Sequence, residues 1–149
     1  MLTGRAEMNR TIVVEDEIDR QIEHIRDAMD LAGEPLAALP GRQILQIRTA
    51  RYHTAGFIPS AAGRPTSQAY IVFTGEPTPS SDVTRGILRF VSDDELQTPS
   101  YDAAQKTIQI WVDWTYVHMV IEQLKHRRHY LWIGFFEKGH TYGDLHSDP

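Results

Sequence analysis

Hydrophobic residues along this chain switch between two periods, and the switches mark its elements. Ile18, Ile22, Ile25 and Met29 follow at spacings of four, three and four. That places them on one side of a helix, which we expect over Glu15–Ala32, with Gly33 at its stop. Before it, Ile12-Val13-Val14 reads as a short strand over Arg10–Val14. Then the period drops to two. Gln43–Tyr52 sets Leu45, Ile47 and Thr49 against Gln46 and Arg48. Ala69–Thr74 contains the unbroken run Tyr70-Ile71-Val72-Phe73, read as buried on both sides, and Gly86–Ser92 contains Ile87-Leu88-Arg89-Phe90-Val91. Thr107–Trp114 alternates Ile108, Ile110, Val112 and Trp114 with Gln109, Trp111 and Asp113. A second helix is expected over Thr115–Arg127, with the apolar stripe Val117, Val120, Ile121 and Leu124. A last strand follows over His129–Glu137.

Between these segments lie stretches rich in Pro, Gly and Ser: 34–41, 53–67, 75–83 and 92–106. They read as loops, two of them long. Residues 1–9 and 138–149 are polar and read as loose tails on a single domain spanning 1–149. Strands in succession without intervening helices argue against a doubly wound α/β fold. The expected architecture is α+β: a mostly antiparallel sheet of about five or six strands, with both helices packed on one face. The terminal strand–helix–strand unit leaves room for one parallel pair.

Composition narrows the chemistry. The chain has 149 residues, an ordinary size for one domain. It has no cysteine, which excludes disulfides, thiolate nucleophiles and Cys-type zinc or iron–sulfur sites. No apolar run approaches the ~20 residues of a membrane span. No secretory leader opens the sequence. A cytoplasmic protein without membrane contact is expected. The net charge of −5 disfavours nucleic acid as partner, since phosphate binding calls for a positive balance.

No phosphate-binding glycine loop, nucleophile elbow or zinc-protease helix is present. The remaining chemistry gathers near the C-terminus, where five of the seven histidines lie between His118 and His146. His140, Asp144 and His146 carry metal-compatible groups at a spacing tied to no known site, so no metal and no cofactor is expected. His118, Glu122 and His126 recur every four residues on helix two. They form an acid–base pair if a pocket desolvates them and a wet face otherwise. Lys125-His126-Arg127-Arg128-His129 is the basic end of a helix or a meeting point for a phosphate or an acidic partner. With Asp113, these give the catalytic candidates of an enzyme or ligand-binding reading: Asp113, His118, Glu122, His140, Asp144 and His146.

Both late strands carry large apolar groups on both faces. Trp111 opposes Ile110 and Val112, and Tyr130, Trp132 and Phe136 oppose Leu131, Ile133 and Phe135. One face packs the helices, and the other needs a cover too. That cover is a loop of the chain, a second copy, or a ligand with polar groups such as Asp113 and Glu137. The favoured expectation is a non-enzymatic binding or interaction protein acting as a homodimer, with Trp111, Trp132, Tyr130 and Phe136 at the interface. The alternative is a small enzyme or small-ligand-binding protein using His and carboxylate groups beside the aromatic face.

The stretch Tyr101–Ser147, with its ending Tyr142-Gly143-Asp144-Leu145-His146, resembles the last third of small uncharacterised bacterial proteins carried on mobile integron-type gene cassettes. Those end in aromatic-Ala-Asp-x-His, and here glycine stands for alanine. The resemblance implies a bacterial accessory protein and no particular activity.

Overall fold

The computed structural model describes residues 14–25, 41–59, 65–126, 128–136 and 140–148. Residues 14–25 form helix α1. Val14, expected at the end of a strand, is already helical; the rest of that segment, the residues after Ile25 and the tail 1–9 lie outside the described residues. Seven strands follow: β1 (Arg42–Pro59), β2 (Pro65–Pro77), β3 (Arg85–Val91), β4 (Ser100–Asp102), β5 (Thr107–Asp113), β6 (Arg128–Phe135) and β7 (Thr141–Asp148). Helix α2 (Val117–Gln123) lies between β5 and β6, entered through a 3-10 turn at Trp114–Tyr116.

The architecture is α+β, with one mixed sheet in the order β4-β5-β3-β2-β1-β6-β7. It has seven strands where five or six mostly antiparallel ones were expected. β3 and β5 run parallel, whereas the late pair left open for that role, β5 and β6, are not neighbours. The two extra strands sit at the edges. β4 is three residues long and pairs only with β5. β7 is built from the polar segment read as a loose tail and pairs only with β6. An edge strand needs one apolar face at most, so neither carries a strong period-two signal. The expected loop 53–67 is also largely strand, because β1 and β2 continue as an antiparallel ribbon to Pro59↔Pro65.

The sheet curls until its edges approach, giving a nearly closed barrel. Thr141 at the start of β7 donates its hydroxyl to the Pro99 carbonyl beside β4, at 3.1 Å. A Cβ on Gly143 would meet the Ile110 side chain at 2.9 Å. A Cβ on Gly86 of β3 would strike the Leu131 side chain of β6. Glycine at these two points lets non-adjacent strands close on a packed interior. Leu45, Ile71, Phe73, Leu88, Phe90, Ile108, Ile110, Leu131 and Ile133 fill that interior. Each such side chain contributes roughly 1.5–3 kcal/mol by leaving water.

The helices do not share a face, contrary to expectation. Val120 of α2 joins the barrel interior, with Val117 and Leu124 beside it, and Gln123 Nε2 donates to the Leu145 carbonyl at 3.0 Å. α1 lies outside the barrel, where Val14, Ile18 and Ile22 pack on Ile44, Tyr130, Trp132 and Phe136. Ile44 alternates with Leu45, and Trp132 with Leu131 and Ile133, so β1 and β6 are covered on both sides. Polar contacts fix the start of α1. Arg42 donates to Asp19 from Nε at 2.5 Å and Nη2 at 3.1 Å, and Glu15 accepts from the Ser80 amide and hydroxyl. Burial would raise the Glu15 carboxyl, but hydrogen bonds from Thr78 and Ser80 and the Arg42 charge hold it below its ordinary range. The acidic opening of this helix therefore does more than complement its dipole.

Candidate functional site

Two groups of side chains on the outer surface of the sheet carry the chemistry, one under α1 and one in the open. The first forms where β6 and β7 pair: Tyr130 faces His146, Trp132 faces Asp144, and Gly134 faces Tyr142. α1 lies over these pairs. Glu17 Oε1 stands 3.5 Å from His146 Nε2, and Gln21 Nε2 stands 3.5 Å from His146 Nδ1. Tyr142 packs on Trp132 with ring centroids 5.5 Å apart. Asp144 is largely buried, and that burial pushes its carboxyl up to about 6. The His146 charge and the Trp132 indole act in the opposite direction and do not cancel it. Neither the indole Nε1 of Trp132 nor Oδ1 of Asp144 makes a well-formed hydrogen bond, though both are buried.

Beside this cluster lies a cleft of ≈ 540 Å³ lined by Glu17, Arg20, Gln21, His24, Ile25 and Tyr142. Asp144 and His146 stand behind its wall rather than in it. Asp144 and His146 therefore sit in a packed seam under α1 and do not line this cleft.

The other catalytic candidates are scattered. Asp113 ends β5 and caps the 3-10 turn, accepting from the Thr115 amide at 2.8 Å and from its hydroxyl. A hydrogen bond from Asp93 lowers the Asp113 carboxyl and correspondingly raises that of Asp93. His118 and Glu122 are exposed on α2, and Lys125 Nζ donates to Glu122 at 2.7 Å. That bond and the Lys125 charge hold Glu122 low. His126 and His140 are exposed as well. The wet-face reading of helix two fits this placement. The basic run disperses too: Lys125 turns to Glu122, Arg128 enters β6, and Arg127 lies outside the described residues. Among the described residues, no three His, Asp or Glu side chains converge as metal ligands.

The interface residues divide sharply. Tyr130, Trp132 and Phe136 are buried beneath α1, with Trp132 at 0% exposure, so the chain's own helix takes the place expected for a second subunit. Trp111 and Trp132 share no patch, since β3, β2 and β1 separate their strands in the sheet. Glu137 lies outside the described residues.

Trp111 belongs to the second group, on the outer face of β2, β3 and β5. Register aligns His53, Tyr70, Arg89 and Trp111 across four strands. His53 stacks on Tyr70 at 4.4 Å between centroids, and the Arg89 guanidinium carbon sits 5.3 Å from the same ring. Arg89 Nε donates to Gln109 Oε1 at 3.2 Å. Among the described residues no carboxylate pairs with Arg89, which leaves its two terminal nitrogens available. Tyr70, Arg89, Gln109 and Trp111 line a groove of ≈ 470 Å³, bounded on its loop side by Glu95 and Gln97.

Sequence reading missed Tyr70 and Arg89 because each sits between core residues of its own strand. Tyr70 and Val72 are half-buried on the outer face, not part of a run buried on both sides. Period two alone could have turned Arg89 outward, between the buried Leu88 and Phe90. Only the strand order shows that it stands beside Trp111. It also missed an exposed group around α2: Trp114 at 62%, Met119 at 59%, Tyr116 and Ile121. Ile121 was expected in the buried stripe of that helix. Among the described residues, no helix is long and apolar enough to cross a membrane. No protein family, curated protein or solved structure matches the chain.

Proposed function

We propose that this chain is a non-enzymatic binding protein whose ligand site is the groove on the outer face of β2, β3 and β5. The observation that carries the reading is the guanidinium of Arg89. It is anchored by Tyr70 and Gln109, has no ion-pair partner among the described residues, and stands beside the half-buried Trp111 that lines the groove. A cation held ready next to flat apolar surface in a groove of several hundred Å³ is the composition of a small-molecule site. The Asp144 and His146 side chains lie under α1 and line neither of the two clefts described. A panel of small aromatic and charged fragments, screened by backbone amide shifts, tests this. Shifts should cluster on β2, β3 and β5 and vanish in Arg89→Ala. Shifts clustered on α1 and β7 would move the site to the other cleft and restore the enzyme reading.

Self-association is the second reading, and its support has moved. Trp114, Tyr116, Met119 and Ile121 leave a group of large apolar side chains exposed around α2, more than scattered single residues would. In this reading two copies meet through that group, and Trp132 takes no part. Light scattering should give twice 17.0 kDa, falling to the single mass in Trp114→Ser/Met119→Ser. A single mass for the unaltered chain at tens of micromolar rules this reading out and leaves the groove untouched.

A further inference from the structure

The charges around the groove are not of one sign, and their arrangement narrows what fits. Arg89 stands in the middle of β3, directly beside Trp111 of β5. Two residues further along the same outer faces, Val91 pairs with Asp113. Glu95 follows in the 3-10 turn that borders the groove. The groove thus presents the Arg89 guanidinium, whose terminal donors meet no carboxylate among the described residues, and the Glu95 carboxylate on its loop side. The Tyr70 and Trp111 rings flank Arg89 on its two sides in the register. A simple anion would meet Arg89 but be repelled by Glu95. A simple cation would meet Glu95 but be repelled by Arg89. A flat ring alone would leave both charges solvated.

Resting on the binding reading above, we infer that the groove takes a small aromatic zwitterion, a flat ring bearing both a carboxylate and a protonated amine, as in an aromatic amino acid. The ring packs against Trp111, where offset or edge-on contact of aromatic rings is favourable, while the Tyr70 ring holds the Arg89 guanidinium. The carboxylate accepts from the Arg89 terminal nitrogens, a planar fork suited to two parallel hydrogen bonds. The ammonium points to Glu95. The volume of ≈ 470 Å³ is ample for such a molecule.

Four compounds sharing one ring separate the contributions: L-phenylalanine, 3-phenylpropionate (carboxylate only), phenethylamine (amine only) and 2-phenylethanol (neither). Calorimetric titration into the full chain should give L-phenylalanine an affinity at least tenfold above each singly charged compound. Arg89→Lys keeps the charge but loses the fork, and should reduce L-phenylalanine binding about tenfold while leaving phenethylamine unchanged or improved. Glu95→Gln should bring L-phenylalanine down to the level of 3-phenylpropionate. Unchanged melting temperatures in both variants would show that the losses are local. If 3-phenylpropionate or phenethylamine equals L-phenylalanine, with amide shifts still on β3 and β5, the zwitterion inference falls and the groove stands. If none of the four shifts β3 or β5, and the fragment panel does not either, the binding reading falls with it.

Discussion

Trp111 and Trp132 sit in near-identical local sequence, each a tryptophan between two β-branched or leucine neighbours, yet they end in opposite situations. Trp132 lies on β6 beneath α1 and is wholly buried, whereas Trp111 lies on β5, lines a groove and is half-buried. Alternation of side chains treats the two alike, since both oppose a core-facing face. What separates them is the surface covering each outer face. α1 spends Val14, Ile18 and Ile22 on β1 and β6, and the described residues include no second outer helix for β2, β3 and β5. One outer face became a second core and the other became a site. The polar residues follow the same division. Under α1 they lock onto the chain itself, as Arg42 does with Asp19. On the open face the Arg89 terminal nitrogens meet no carboxylate among the described residues.

If the division is real, the two tryptophans must differ most in stability. Trp132→Ala removes a fully buried ring and should cost about 3–5 kcal/mol in denaturant melts, against about 1 kcal/mol or less for Trp111→Ala. Equal losses would mean that both faces are covered. The cover itself can be weakened next. Ile22→Ala should cost about 2–5 kcal/mol, because Ile22 is buried against β6, while Glu23→Ala on the wet side of α1 should stay within about 0.5 kcal/mol. Similar effects at both positions would put the wrong side of α1 on the sheet.

Asp144 sharpens the comparison through pH. Its carboxyl titrates at about 6 in the fold against an ordinary 3.8. The folded chain therefore holds this proton more tightly than the unfolded chain. The side chain costs nothing below about pH 4, its cost grows as pH rises toward 6, and it is complete above that. The gap between the two values corresponds to a cost on the order of 3 kcal/mol. Asp144→Asn should thus raise stability by roughly 1–3 kcal/mol at pH 8 and leave it nearly unchanged at pH 4. A gain independent of pH would show that burial does not govern this carboxyl. The smallest effect is expected at the rim of the same seam, where Glu17→Gln should change stability by less than about 1 kcal/mol, as for other partly exposed ion pairs.

The sequence made some of this division legible and hid the rest for identifiable reasons. The spacing of Ile18, Ile22 and Ile25 identified the apolar side of α1, and the alternation in β5 and β6 identified a second face needing a cover. Both signals are local, and local periodicity survives in any fold. The partner of each face is a matter of strand order, which no local pattern carries. β7 was invisible because Tyr142, Asp144 and His146 alternate only with Gly143 and Leu145, too little apolar surface to mark a strand. β4 was too short. The reach of β1 and β2 through 53–67 was masked by glycines and prolines that usually mark loops. The groove suffered most, since Tyr70, Arg89 and Trp111 come from three strands and meet only through register.

The central claim is that the Trp111 face is open for a ligand while the Trp132 face is sealed. The indole N–H signals of the three tryptophans report on both faces at once. With 15N-labelled protein, titration with L-phenylalanine should move the Trp111 indole signal progressively to saturation and leave that of Trp132 fixed. Movement at Trp132, or at neither, would contradict the account.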